Sequence, residues 1–468
     1  MKKILLSAFA LSTMMTFAQQ YGGMWIPTEV NEKEMKELGM KISAKQIFDP
    51  SKPSIKDAVV QFNGGCTAEI ISPQGLLLTN HHCGYGQIQK HSTVKNDYLS
   101  DGFWAKNMQG ELPNPGVTVD FISDIKEVTA EVLAGTQNLD EIAAENIIAK
   151  NIESVKATFK LESWQKVVVK PMYYGNKYYA YLIETYKDIR LVGAPPQSIG
   201  KFGSDTDNWV WPRHTGDFSM FRIYADKDNK PAEYSKDNIP YKPKHFLPIS
   251  IKDKQENDFT FVFGFPGRTT EYLPAIAVEK IMTETDPTMI GVREVALKTL
   301  DEKMRTDAET RIKYASKYAS IANYWKKWIG EVEGLKKSDA VGKKKAYEQT
   351  LIAKNPQIKP TIEELNRLYT EQSPYAVNKA FYSETVRNAE TFTLANFFYN
   401  YIQAAESGKL DAKSLESLKN RLSGIYADYD GALDAKVTAK LLALYANKSK
   451  PQFVSTDLNA YKNENQNL

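Results

Sequence analysis

Cysteine and histidine are the scarcest chemistry-bearing residues of this chain, which has two cysteines and five histidines in 468 residues. So few exclude a disulfide-dense scaffold and the repeated Cys/His spacings of zinc modules. An excess of charge of one sign is also missing. Lys and Arg number 60 against 57 Asp and Glu, a net charge of +3 with no long basic run, so no nucleic-acid partner is expected. The chain lacks any stretch of about 20 uninterrupted apolar residues, so no spanning helix is expected. It shows no internal repeat of fixed period. With 42% hydrophobic and 25% charged residues it is a globular chain, long enough for two to four domains.

The first residues form a leader. Lys2-Lys3 is a basic n-region, Ile4 to Phe17 an apolar h-region too short to span, and Thr16-Phe17-Ala18 a small-residue cleavage site before Gln19. The mature protein is expected to be exported, periplasmic or at the cell surface or secreted, and export permits a disulfide. From about Gly22 to Leu273 the pattern is strand-like. Thr67 to Ser72, the turn Ser72-Pro73-Gln74-Gly75 and Leu76 to Thr79 read as a hairpin, and Val59-Val60-Gln61-Phe62, Val167-Val168-Val169, Tyr178 to Ile183, Phe218 to Tyr224 and Phe259 to Phe263 as further strands. One helix, about Asn138 to Ala157, interrupts them. After Pro274 the period becomes helical, with stripes such as Val292, Val295, Ala296, Leu300 and Met304, running to about Asn447 before a polar, frayed tail. Asp286-Pro287, Ser373-Pro374 and Thr361 with Glu364 read as helix starts.

Two sites carry the chemistry. Gly64-Gly65-Cys66-Thr67-Ala68-Glu69 and Leu77-Leu78-Thr79-Asn80-His81-His82-Cys83 together resemble the histidine corner of chymotrypsin-like serine peptidases, and Asp217 stands at the entry of an alternating apolar strand. A serine peptidase needs an imidazole base, a carboxylate that sets its tautomer, and oxyanion donors. Asp205, Asp207 and Asp226 compete with Asp217 on spacing alone. The block Lys201 to Asp217, containing Asn208-Trp209-Val210-Trp211-Pro212-Arg213-His214-Thr215-Gly216-Asp217, and the segments around Val192, Gly22, Phe263 and Ile312 resemble the bacterial dipeptidyl-peptidase 7 and 11 family over nearly the whole mature chain.

The resemblance implies an α+β multidomain protein: a chymotrypsin-like β-barrel lobe over 19–273, after a signal peptide at 1–18, followed by a large α-helical domain over 274–468. It implies an exported serine exopeptidase that releases dipeptides from free N-termini of peptides. It makes His82 the general base and Asp217 its partner, pairs Cys66 with Cys83, and gives Asn208, Trp209 and Asn323 to the site for the substrate's amino end. It implies no metal and no cofactor, and members commonly pair, so a homodimer is an expectation that the resemblance alone carries. Tyr314 to Tyr318 and Pro231 to Asn238 look closer to the branch preferring apolar side chains at the second substrate position.

One departure matters. The family's nucleophile lies in a Gly-Asn-Ser-Gly-Ser-Pro type segment of a second barrel, and no such segment occurs in this sequence. The expectation is therefore the amino-terminal part of such a peptidase, with the second barrel missing and no activity of its own. The alternative from another class is a non-catalytic peptide-binding protein derived from such a peptidase, although retaining both His82 and Asp217 argues against it. A metal protein using His81, His82, Cys83 and His91 has the wrong ligand spacing for a structural zinc site.

Overall fold

The computed structural model describes residues 24–462 apart from 268, 269, 271, 409, 459 and 460. The expected leader lies outside them. The protein is mixed α/β, with a large antiparallel sheet and a helical part. It packs as two compact units: one from the segments up to Leu76, Val117–Asp188 and Ile223–Phe265, the other from Leu77–Gly116, Ile189–Arg222 and Pro266 onward. The strands in chain order are β1 (Val59–Phe62), β2 (Cys66–Ile70), β3 (Leu76–Thr79), β4 (Phe103–Trp104), β5 (Leu112–Pro113), β6 (Val119–Glu127), β7 (Gln165–Met172), β8 (Lys177–Tyr186), β9 (Asp188–Ala194), β10 (Ser219–Ala225) and β11 (Ile239–Pro240).

The first unit holds the run β2-β1-β6-β8-β7. Phe62 of β1 faces Cys66 on one side and Val119 on the other. Alternation sends Ala68 and Ile70 inward and leaves Thr67 and Glu69 half-buried, as a strand period of two requires. The turn before β3 needs glycine: Gly75 has φ +64°, and a Cβ there would lie 3.0 Å from the carbonyl oxygens of Ile223 and Tyr241. A helix at Glu141–Ala157 matches the sequence reading, and Asp140 caps it by accepting the Ala143 N–H at 2.9 Å. Val155 from that helix joins Val128, Val132, Val167 and Tyr178 in one core.

The second unit contains β9 with β4 and β5 as antiparallel neighbours, and the helices that matter for the site. These are α1 (His81–His91), α2 (Asp286–Met304), α3 (Ala308–Lys337), α4 (Lys359–Asn388) and α5 (Gly431–Lys448). Val292, Ala296 and Leu300 of the predicted stripe are buried, packed with Tyr314, Ile321, Ala322, Phe381, Val437 and Leu441. Five readings come out differently. Ser373-Pro374 starts no helix, because α4 runs through Pro374, and Thr361 lies inside α4 rather than at its cap. Asp286 caps nothing: a π-turn at Ile281–Thr285 carries the helix straight into α2, and the Asp286 carboxyl is buried. Phe259 to Phe263 forms no strand, and the tail is partly anchored, with Val454 and Leu458 packed on the helical core.

Candidate active site

β3 ends at Thr79, and Asn80, with extended φ/ψ of −67° and 150°, is the N-cap of α1. His82 therefore falls in the first helical turn, where a backbone N–H has no acceptor inside the helix. Asp217, just ahead of β10, supplies one. Its Oδ1 accepts the His82 N–H at 3.1 Å and its Oδ2 lies 2.8 Å from His82 Nδ1. One carboxylate thus holds both the backbone and the ring of the same residue, at the helix end where negative charge is favoured.

Asn80 and Ser219 complete this corner. Asn80 Nδ2 donates to the Asp217 carbonyl and to Oδ2, each at 3.2 Å, while Ser219 Oγ donates to the Asn80 carbonyl at 2.8 Å. Neither was singled out from sequence; the available signal was that Asn80 is a preferred capping type directly before the helix. Its side chain is spent on Asp217 rather than on the helix amides. α1 approaches β10 closely here: a Cβ on Gly84 would lie 2.6 Å from Ser219 Oγ and 3.0 Å from the Phe221 ring. Gly84→Ala should therefore cost about 1–3 kcal/mol by overpacking. An unchanged urea midpoint would show that Phe221 yields freely.

Burial by itself would raise the Asp217 carboxyl, but the hydrogen bond and charge of the His82 ring, with the His82 amide, hold it below the ordinary value. The carboxylate is ionised at neutral pH. The His82 side chain is 67% exposed against 23% for Asp217, so the imidazole is anchored at Nδ1 and otherwise open. His81 is the opposite case, 1% exposed, edge-on to Tyr85 and beneath Gly200, where a Cβ would meet its ring at 2.2 Å. Burial pushes its pKa down, only partly opposed by the Asp217 charge and the Pro195 backbone.

That direction fixes a sign. In the unfolded chain His81 takes a proton near its ordinary value of about 6.5, whereas in the folded chain it resists one. Stability is therefore lost as pH falls from about 6.5 through the depressed native value. Urea midpoints measured at falling pH should drop over that window, and His81→Asn should flatten the drop. Parallel profiles for parent and variant would remove His81 as the cause.

A second group gathers around α3. Asn208 Nδ2 donates to Asn323 Oδ1 at 3.0 Å, and Trp209 Nε1 donates to both the backbone oxygen and Oδ1 of Asn323 at 3.0 Å each. The Gln89 carboxamide docks α1 on α3: its Nε2 donates to Lys313 O at 2.9 Å and its Oε1 accepts from Ser316 N at 2.8 Å. Asn323 lies ten residues beyond Lys313, about 15 Å along the helix. The structure thus brings His82 to Asp217, and separately brings Asn208, Trp209 and Asn323 together. Cys66 and Cys83 are disulfide-bonded. Of the residues of the metal reading, His82 and Cys83 bring their ligand atoms within 4.8 Å of one another, but His82 Nδ1 is on Asp217 and Cys83 is in the disulfide, while His81 lies beneath Gly200 and His91 is on Asn114 at 3.1 Å.

Among known proteins, a family model for Peptidase S46 matches residues 20–467. An Asp/Glu-specific dipeptidyl-peptidase of Flavobacterium psychrophilum is 50% identical over 97% of this chain and 65% of its own length. Dipeptidyl-peptidase 7 of Porphyromonas gingivalis is 40% identical over 94% of this chain and 63% of its own. In structure, Porphyromonas endodontalis DPP11 in complex with the dipeptide Arg-Glu superposes with TM-score 0.78 and 35% identity, covering 91% of this chain and 64% of that one. The chain spans about two thirds of the length of these relatives. With the matched residues running through α1, Asp217 and α3, the chain belongs to the peptidase S46 family.

Proposed function

We propose that this chain is the part of an exported serine-type dipeptidyl-peptidase that carries the base and its orienting carboxylate. The observation that carries this reading is the His82–Asp217 pair, an imidazole held through Nδ1 at 2.8 Å with the rest of the ring open. With Nδ1–H donated to the carboxylate, the lone pair is on Nε2, where it takes the proton of an attacking serine hydroxyl and later returns it to the leaving amine. Residues 19–273 then act as the chymotrypsin-like lobe and 274–468 as the helical domain. Asn208, Trp209 and Asn323 form the amino-end site, holding a donor-only ammonium with carbonyl oxygens at a set distance from the base. The sequence holds no Gly-Asn-Ser-Gly-Ser-Pro segment, so the 468 residues by themselves do not turn over peptide bonds.

The substrate class is peptides with a free amino terminus and an acidic residue in second position. What supports this over the lean of the sequence reading toward apolar residues is that, within Capnocytophaga gingivalis, identity to the Asp/Glu-specific relative is 50% against 36% for dipeptidyl-peptidase 7. The test uses the protein as its source organism makes it, with its intact mass read beforehand. It should release a dipeptide from substrates ending in Glu or Asp at the second position, and N-acetylation should reduce kcat/KM at least about 100-fold, the loss expected when an ammonium–carbonyl network is left unmade. Good cleavage of the acetylated substrate rules out a dipeptidyl-peptidase. A native mass equal to that of residues 19–468, without cleavage, leaves peptide binding as the function.

A further inference from the structure

We propose that Arg213 is a positioning residue for the amino-end site, fixing which way the Asn208 and Asn323 carboxamides face; this rests on the reading of that site given above. The argument is one of donors and acceptors. A guanidinium has only N–H donors. Arg213 Nη1 donates to Asn208 Oδ1 at 2.7 Å, and its Nε donates to Thr215 Oγ1 at 2.7 Å. Thr215 Oγ1 in turn donates to Phe202 O at 2.7 Å, tying both ends of the loop that carries Asn208 and Trp209.

A carboxamide has one accepting end and one donating end, of nearly equal shape. Turning Asn208 over would set its NH2 against the guanidinium and its oxygen against Asn323 Oδ1, two repulsive pairings in place of two hydrogen bonds. Arg213 therefore selects the orientation in which Asn208 Nδ2 points at Asn323 Oδ1. With Trp209 Nε1 on the same oxygen, Asn323 is held with its carbonyl, not its NH2, at the junction of the three side chains. Those two donors occupy both lone pairs of Asn323 Oδ1, so the oxygen with a lone pair left for a donor-only ammonium is Asn208 Oδ1, the one that Arg213 holds in place. Trp209 also has a left-handed backbone, φ +61°, which is unfavourable for a tryptophan and is retained here by the two bonds its indole makes to Asn323. Arg213 thus acts on the ammonium through Asn208, which Asn323 steadies from the other side, without touching it.

The experiment compares two coumarin substrates in the protein as its source makes it: a dipeptide with a free α-amine, and its des-amino analogue in which hydrogen replaces that amine. Variants are Arg213→Met, Arg213→Lys and Asn323→Ala, with thermal midpoints read for each. Arg213→Met should lower the ratio of kcat/KM for amine over des-amino substrate about tenfold, the size of one charge-assisted hydrogen bond. The loss should appear in KM rather than kcat, and Arg213→Lys, which restores one donor, should recover part of it. An unchanged ratio in Arg213→Met while Asn323→Ala lowers it overturns the role of Arg213 and leaves the amino-end site standing. An unchanged ratio in both variants overturns the amino-end reading and the positioning role with it. A fall in activity toward both substrates by the same factor also overturns the positioning role, since a merely structural residue would do that.

Discussion

Asp217→Asn should lower kcat about 10⁴-fold, with KM little changed, in the protein as its source makes it. The direction follows from which oxygens are committed. Oδ1 accepts the His82 backbone N–H, so an asparagine at 217 keeps its oxygen there and turns its NH2 toward the position of Oδ2. That NH2 faces His82 Nδ1 and Asn80 Nδ2. Donor then meets ring nitrogen, which must become an acceptor, and the ring proton moves to Nε2. The base is in the wrong tautomer to take a proton from a hydroxyl. Because the backbone bond survives, the fold should persist, and the thermal midpoint should move far less than the turnover. His82→Ala should be at least as severe. Near-parental turnover in either variant removes the pair from the chemistry and with it the proposed function.

Removing one partner of the buried Arg293–Glu384 pair should destabilise the chain by roughly 3–5 kcal/mol. Arg293 Nε donates to Glu384 Oε2 at 2.6 Å, and both side chains are almost wholly buried. Nη1 donates to the carbonyls of Ser320 and Ile321 at 3.3 and 3.1 Å, and the guanidinium lies over the rings of Tyr324 and Trp328 at 5.2 and 4.9 Å. Glu384→Leu leaves a buried cation facing carbonyls and rings without its carboxylate, and should show the full loss in urea unfolding followed by helical circular dichroism. Arg293→Met with Glu384→Leu should recover much of that loss, because two apolar side chains leave no charge unpaired. A double variant as unstable as the single one would mean that packing, not charge, sets the cost. The site should feel the change too: these contacts bracket Asn323 on α3, so Glu384→Leu should raise KM for free-amine substrates under conditions where the chain is still folded.

Much of this is legible in the sequence, and the reasons differ by element. The β2–β3 hairpin follows from a local pattern, alternating residues around a turn whose glycine is required by φ, and local patterns survive folding. The Glu141–Ala157 helix carries its own cap in Asp140. Pro374 shows the limit of such rules. A proline inside a helix costs about 3 kcal/mol in isolation, yet α4 continues because Phe381 further along it joins the buried core and Ser373 bonds Glu284. Phe259 to Phe263 fails for the converse reason. Its composition suits a strand, but a strand needs a ladder, and among the described residues this stretch joins none; the chain is tied just beyond it, where Phe265 N donates to Thr67 Oγ1 at 2.8 Å.

The site divides in the same way. Sequence by itself determined the residue types and the family: a histidine before a cysteine after a strand, an aspartate before another strand, and an asparagine on a helix. Those are statements about identity and order along the chain, which no folding can alter. Only the tertiary structure decided that Asp217 grips both ring and backbone of His82, that Asn80 and Ser219 steady that grip, and that Arg213 stands behind Asn208. Each of these joins residues far apart in sequence or depends on which end of a carboxamide faces which donor. Distances of about 3 Å between such groups are set by packed helices and strands, and one-dimensional spacing carries no information about them.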